Sequence, residues 1–172
     1  MKTEVLDLHK SQQLISKFIN VPKSQLIHSI KDLKIKAPLV LKIVSPDAIH
    51  KTEIGGVIIV HRKEEIESSF NELVSTARKN KLSLKGILAQ EFVEGQQLII
   101  GLKKDPTFNH VILFGLGGIF TELLDDVSIR KCPITKDEAQ DMISELKSRK
   151  LFEGFRNIQL NTNALKESLV AV

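Results

Sequence analysis

Apolar residues recur along the chain in two rhythms. Leu8, Ile15, Phe18 and Ile19 lie mostly on one helical face, so the pattern predicts a helix over roughly 8–19. Val21-Pro22 closes it, because proline disfavours a helical residue before it. A short amphipathic stretch follows around 29–35. Ala37-Pro38 opens Leu39-Val40-Leu41-Lys42-Ile43-Val44, an apolar, β-rich run that reads as a buried strand. Ser45 to Gly56 is a polar loop, and Val57 to Val60 a second strand. Ile66, Phe70, Leu73, Val74 and Ala77 then fall at helical spacing and give the strongest helix signal in the chain. Gly86 to Val93, Leu98 to Leu102 and Val111 to Phe114 read as further strands, with a turn at Glu94-Gly95. Thr135, with Glu138 three positions on, has the pattern of a capped helix start, and Met142, Ile143 and Leu146 supply its apolar face. Ala164 to Val170 predicts a last short helix. The mixture gives an α+β or α/β class. The one candidate lobe boundary lies around Gln90 to Gly95, which separates residues 1–92 from 93–172.

Composition narrows the possible functions. The 172 residues are 42% apolar and 27% charged, which is ordinary for a folded globular chain. Lys plus Arg number 25 against 21 acids, a mild +4 that is spread along the chain. With no Trp or Tyr, and eight Phe that do not interleave with basic runs, there is no nucleic-acid stripe. The excess suits phosphate ligands at least as well. A single cysteine, Cys132, excludes an internal disulfide and a cysteine-based zinc cluster. No signal-like core is present, and no apolar run approaches the roughly 20 residues that span a bilayer. A cytoplasmic protein with no membrane or nucleic-acid partner is expected.

Several residues could carry chemistry, and each has a plainer reading beside it. Lys42 interrupts a buried strand, where an unpartnered ammonium is costly and a phosphate oxygen would compensate it; alternation could instead point it outward. His50, between Asp47 and Gly55-Gly56, could accept a phosphoryl group or act as a base; it could equally be a solvated loop histidine. Gly55-Gly56 and Gly115-Leu116-Gly117-Gly118 would let backbone N–H groups approach phosphate, or simply make turns. Neither is a Walker loop or a dinucleotide fingerprint. Glu122, Asp125 and Asp126, with Arg130 behind them, suit magnesium and a phosphate oxygen, or form a solvated acidic turn with a surface ion pair.

Read together, these signals resemble one family. Leu41-Lys42-Ile43-Val44-Ser45-Pro46-Asp47, His50-Lys51-Thr52 and Gly55-Gly56-Val57 resemble the ATP-grasp, β-type subunit of ADP-forming acetyl-CoA synthetases. Phe114 to Phe120, Glu122, Asp126-Val127-Ser128 and Arg130 resemble that family's second signature, and Gln90-Glu91, Gly95, Gly101 and Asp105-Pro106 match between them. The resemblance implies two small α+β lobes that hold ATP or ADP with magnesium. It implies a phosphohistidine relay linking the interconversion of acid, CoA and ATP with acyl-CoA, ADP and phosphate. By position, Lys42 becomes a nucleotide-phosphate ligand and His50 the phosphoryl carrier. Glu91 and Phe92 fall at the adenine hinge, the two glycine loops lie by phosphate, Glu122 and Asp126 become magnesium carboxylates, and Arg130 stands against transferred phosphate.

The departures are specific. The family's final strand, with its Glu-x-Asp-x-Asn-Pro pattern, does not occur before Val172. Gln97 stands where relatives carry Glu, a position expected near the ribose. Asn109-His110 replaces Gly-Pro, Asn157 replaces Gly, and Asn161 an Asp. Two readings follow. In one the chain is an enzyme subunit, part of an oligomer, that needs a CoA-binding α-type partner, with room for a separate chain to supply the final strand. In the other it is a shortened, non-catalytic relative that binds nucleotide weakly or serves as a structural subunit.

Overall fold

The computed structural model describes residues 6–47, 54–118, 125–154 and 160–172. His50 and Glu122 lie outside the described residues. The chain divides into two compact units between Glu94 and Gly95.

In the first unit, strands β1 (Ser24–Ile27), β2 (Leu39–Val44), β3 (Val57–Val60) and β4 (Gly86–Glu91) form an antiparallel sheet in the order β1-β4-β2-β3. Alternation along β2 sends Leu39, Leu41 and Ile43 to one face, where each is fully buried. Helix α2 (Ile66–Lys79) covers that face with Ile66, Phe70, Leu73 and Ala77. Fully burying an aliphatic side chain of this kind contributes about 1.5–3 kcal/mol, so this layer is the main source of the unit's stability. Helix α1 (Leu8–Ile15) starts at Asp7, whose carboxylate accepts from the Lys10 amide at 3.0 Å. It stops four residues short of expectation. The amides of Lys17 and Phe18 turn to carbonyls three residues back, and the Ser16 hydroxyl donates to the Gln13 carbonyl at 2.8 Å. The stretch at 29–35 is a single 3-10 turn, Ile30–Asp32, rather than a helix.

In the second unit, β5 (Leu98–Asp105), β6 (Asn109–Leu116) and β7 (Val127–Lys131) form an antiparallel meander. Helices α3 (Lys136–Glu145) and α4 (Thr162–Ala171) belong to this unit. Ile112, Phe114, Met142, Ile143, Leu146 and Leu169 make its core, and Phe114 meets Phe152 edge-on at 5.9 Å. The cap foreseen at Thr135 is present in both directions: the Glu138 amide donates to Thr135 Oγ1 at 3.2 Å, and the Thr135 amide to Glu138 Oε2 at 2.7 Å. Two of the asparagine replacements have clear local roles. Asn109 has φ +66, a left-handed conformation that Asn tolerates better than most residues. Asn161 caps α4 by accepting from the Ala164 amide at 3.0 Å, a task Asn performs as well as Asp. No described helix is long and apolar enough to cross a membrane.

Candidate functional site

Lys42 lies on the face of the first sheet that α2 does not cover, opposite Val57 on β3 and Leu88 on β4. Alternation does turn it away from the core, yet it is half-buried rather than solvated. Its Nζ donates to Oε1 of Gln90 at 2.5 Å. Gln90 stands diagonally across on β4, opposite Val40. The strand then leads into Glu91 and Phe92. The Glu91 amide donates to the Lys23 carbonyl at 2.8 Å, and the Phe92 amide to the Pro38 carbonyl at 3.3 Å. The Phe92 ring meets His61 edge-on at 5.8 Å. These contacts fix the chain at the expected hinge. A groove of about 900 Å³ lined by Leu33, Ile35, His61 and Ile66 opens on the α2 side, away from the Lys42 face.

The loop after β2 is anchored on its near side. Asp47 Oδ2 accepts from the Ser83 amide at 2.9 Å, and the Asp47 amide donates to Ser45 Oγ at 3.2 Å. On the far side Gly55 has φ +68, which glycine alone adopts without strain. The Gly56 carbonyl accepts from the Ile43 amide at 2.9 Å, so Gly56 begins the pairing of β3 with β2.

In the second unit, Gly117 and Gly118 sit against the start of β5. The Gly117 amide donates to the Gln97 carbonyl at 2.8 Å. A Cβ on Gly117 would stand 3.0 Å from the backbone of Gln97 and Leu98. A Cβ on Gly118 would come to 2.3 Å from Gln97 Oε1, at a φ of +64. Gly117 is therefore required by close packing against the backbone of residues 97–98, and Gly118 by its left-handed backbone, since the end of the Gln97 side chain can move aside.

Asp126 and Arg130 are placed differently from what the resemblance implies. Asp126 is 5% exposed, and its two oxygens accept from the amides of Lys147 and Ser148 at 2.7 and 2.8 Å. Burial pushes its carboxyl up, but the hydrogen bonds from Ser148 and Lys147 outweigh it and leave the group below the usual carboxylate range. Arg130 pairs with Ile112 across the sheet and so shares the core-facing side. Its guanidinium bonds Glu145 Oε1 and donates to the Ile129 carbonyl at 2.9 Å, and Ser128 Oγ donates to Glu145 Oε2 at 2.9 Å. The hydrogen bond from Arg130, followed by that from Ser128, depresses the Glu145 carboxyl. As placed, Asp126 and Arg130 fasten the end of α3 to β7. They are occupied by partners that lie 15 to 22 positions on, which no short motif reveals. Among the described residues, no group of three or more His, Cys, Asp or Glu could hold a metal ion.

Sequence reasoning missed the pairing of Gln90 with Lys42. The signal was present: Gln90 follows four buried residues of its strand, and Lys42 interrupts the apolar run of the neighbouring one.

Comparison with known proteins agrees with this architecture. A family model described as an ATP-grasp domain matches residues 1–172. The ADP-forming acetate–CoA ligase I of Archaeoglobus fulgidus is 43% identical over 122 residues, which cover 69% of this chain and 18% of that protein. The β subunit of ADP-forming acetate–CoA ligase II of Pyrococcus furiosus is 32% identical over 164 residues, covering 90% of this chain and 70% of that subunit. Acetyl-coenzyme A synthetase 1 of Candidatus Korarchaeum cryptofilum, solved with coenzyme A and Ca-AMPCP, superposes with a TM-score of 0.91 at 38% identity, covering 96% of this chain and 77% of that one. The same synthetase has been solved with Mg-AMPPCP and a phosphohistidine segment pointing towards the nucleotide binding site; there the TM-score is 0.83 at 38% identity, covering 97% and 76%. The chain spans about a fifth of the length of the full-length ligases it matches. It belongs to the ATP-grasp family, in the company of the β subunits of ADP-forming acetate–CoA ligases.

Proposed function

We propose that this chain is the nucleotide-handling part of an ADP-forming acyl-CoA synthetase and passes a phosphoryl group between a phosphohistidine and ADP or ATP. The overall reaction interconverts acid, CoA and ATP with acyl-CoA, ADP and phosphate. The observation that carries this reading is Lys42, an ammonium half-buried on a sheet face, beside the strand that leads to Glu91 and Phe92. A lysine ammonium on such a face is the kind of group that meets nucleotide phosphate. Likeness to a synthetase solved with nucleotide analogues supports the choice.

In this reading Lys42 meets the nucleotide phosphates, and Glu91 and Phe92 flank the adenine. Gly55, Gly56 and Gly118 keep backbone amides within reach of phosphate, and Gly117, whose amide donates to the Gln97 carbonyl, holds that loop in place. His50 is the carrier. The nitrogen–phosphorus bond of phospho-His50 breaks as a β-phosphate oxygen of ADP bonds to phosphorus, and the imidazole takes up a proton. The protein's part is positioned positive charge, with little covalent machinery. Magnesium, when bound, neutralises phosphate charge. Glu122 is the first candidate carboxylate for it and Asp126 the second, because the Asp126 oxygens each already accept a backbone amide. Acyl-CoA chemistry falls to a CoA-binding α-type partner, and the working enzyme is an oligomer.

The test is labelling. With the CoA-binding subunit, acyl-CoA and radioactive phosphate, the chain should acquire acid-labile, alkali-stable label that His50→Asn abolishes, together with ATP synthesis, while the circular dichroism spectrum is unchanged. Full ATP synthesis by the variant would refute the relay. The engagement of Arg130 by Glu145 favours a second reading, a non-catalytic nucleotide-binding or structural subunit. Absence of label on the wild-type chain would establish that alternative.

A further inference from the structure

The ring of Phe92, assigned above to the adenine, rests against the ring of His61. We propose that His61 is a positioning residue: it holds the Phe92 ring at the base end of the nucleotide face. The inference rests on the proposed adenine role of Phe92.

The register of the first sheet lays that face out in rows. Leu88, Lys42 and Val57 lie side by side across β4, β2 and β3, and Gln90, Val40 and Ile59 form the next row. By alternation both rows belong to the side that α2 does not cover. Pro38 opens a third row. Its carbonyl accepts the Phe92 amide at 3.3 Å, which carries the pairing of β2 with β4 one step past Leu39 and Glu91. The same step on the other flank, past Leu39 and Val60, brings His61 opposite Pro38. The two rings meet at this row, with centroids 5.8 Å apart and planes at 71°. Four residues separate Pro38 from Lys42, about 13 Å of strand. That length matches the reach of a nucleoside diphosphate from its base to its terminal phosphate. The cation and the aromatic pair thus stand one ligand length apart, with the exposed Ile59 in the row between them. The backbone at Phe92 is fixed by the bonds of Glu91 to Lys23 and of Phe92 to Pro38, so the freedom left is rotation of the ring about its side-chain bonds. An edge-on aromatic partner selects among those rotamers. His61 is exposed, but its backbone follows directly from β3, whose last residue pairs with Leu39. Holding the Phe92 ring before the base arrives removes an ordering cost from binding.

The experiment titrates the full chain with magnesium ADP and, separately, with magnesium pyrophosphate, which has phosphates and no base. NMR makes millimolar affinities measurable. His61→Ala should weaken ADP roughly fivefold, the order expected for losing one aromatic pair, and leave pyrophosphate unchanged. His61→Phe keeps a ring and should recover most of the loss. Because His61 is exposed, the thermal midpoints of both variants should stay within about 2–4 °C of wild type. With Phe92→Leu already present, His61→Ala should change nothing. If His61→Ala binds ADP like wild type while Phe92→Leu binds worse, the positioning role is wrong and the adenine role of Phe92 stands. If His61→Ala weakens ADP equally with and without the Phe92 ring, His61 touches the nucleotide itself and positioning is again refuted. An equal loss of pyrophosphate would put the effect away from the base and refute it too. If Phe92→Leu binds like wild type, or the wild type does not bind ADP, the adenine assignment fails and takes this inference with it.

Discussion

Replacing Asp126 by alanine separates a structural carboxylate from a metal-binding one. The side chain is 5% exposed and holds the amides of Lys147 and Ser148 at 2.7 and 2.8 Å. Each such charge-assisted bond contributes about 1.5–3 kcal/mol. The two act on neighbouring amides, and water can reach part of the gap left behind, so the pair is worth about 3 kcal/mol in total. For a chain of this size that is a fall of roughly 10 °C in thermal midpoint. With no Trp or Tyr the measurement is far-ultraviolet circular dichroism in urea or on heating. Acid supplies a second axis. The folded-state carboxyl is depressed, so its contribution is complete above the unfolded value near 4 and is lost as pH falls through the folded one. Wild type and Asp126→Ala should therefore differ by a constant amount at neutral pH and converge in acid. Millimolar magnesium should leave the difference unchanged. A loss under about 0.5 kcal/mol would refute the structural role, since a surface substitution costs no more. A difference that grows with magnesium would restore the metal role.

Two further outcomes follow from local geometry. Thr135→Ala removes an N-cap and should cost about 1 kcal/mol in urea midpoint terms, with Thr135→Ser recovering most of it; an unchanged midpoint would show that the cap is redundant. Gly118→Ala forces a side chain into a left-handed backbone and against Gln97, and should cost about 1–2 kcal/mol or more; equal stability would mean that the turn relaxes freely.

Much of the fold was legible because the strongest patterns coincide with the most buried elements. β2 and β3 match their expected ends, since each is a short, mostly apolar run bounded by Pro38, the Ser45–Gly56 loop or polar residues after Val60. The expected core stripe of α2 is the one that covers the sheet. β1 was missed because four residues with one fully buried side chain leave no readable alternation. β7 was missed because Ser128 and Arg130 interrupt its apolar residues with groups satisfied by Glu145, a partner invisible along the sequence. β5 and β6 run longer than expected because the Lys103-Lys104 and Asn109-His110 ends carry polar side chains while their backbones remain paired. At the candidate site, position along the chain singled out Lys42 and the Glu91-Phe92 stretch. It could not say which side of a sheet Asp126 and Arg130 would take, because that depends on what packs behind them.

The strand order β1-β4-β2-β3 has a consequence for how the first unit is assembled. β2 and β3 form a hairpin, and α2 follows at once, so these pieces can associate while the chain is short. β1 must wait, because its neighbour β4 is separated from it by nearly the whole unit, and closing so long a loop is slow. β4 is thus the last strand of its sheet to be synthesised, and it fills the gap between two strands made earlier. A nascent chain that has not yet released Gly86–Glu91 has an open edge on β2, the kind of edge that pairs with the wrong partner. The strand that heals this edge also brings Gln90 to Lys42. Completion of the sheet and assembly of the candidate nucleotide face are therefore one event during synthesis, and a shortened chain ending before β4 would lack both.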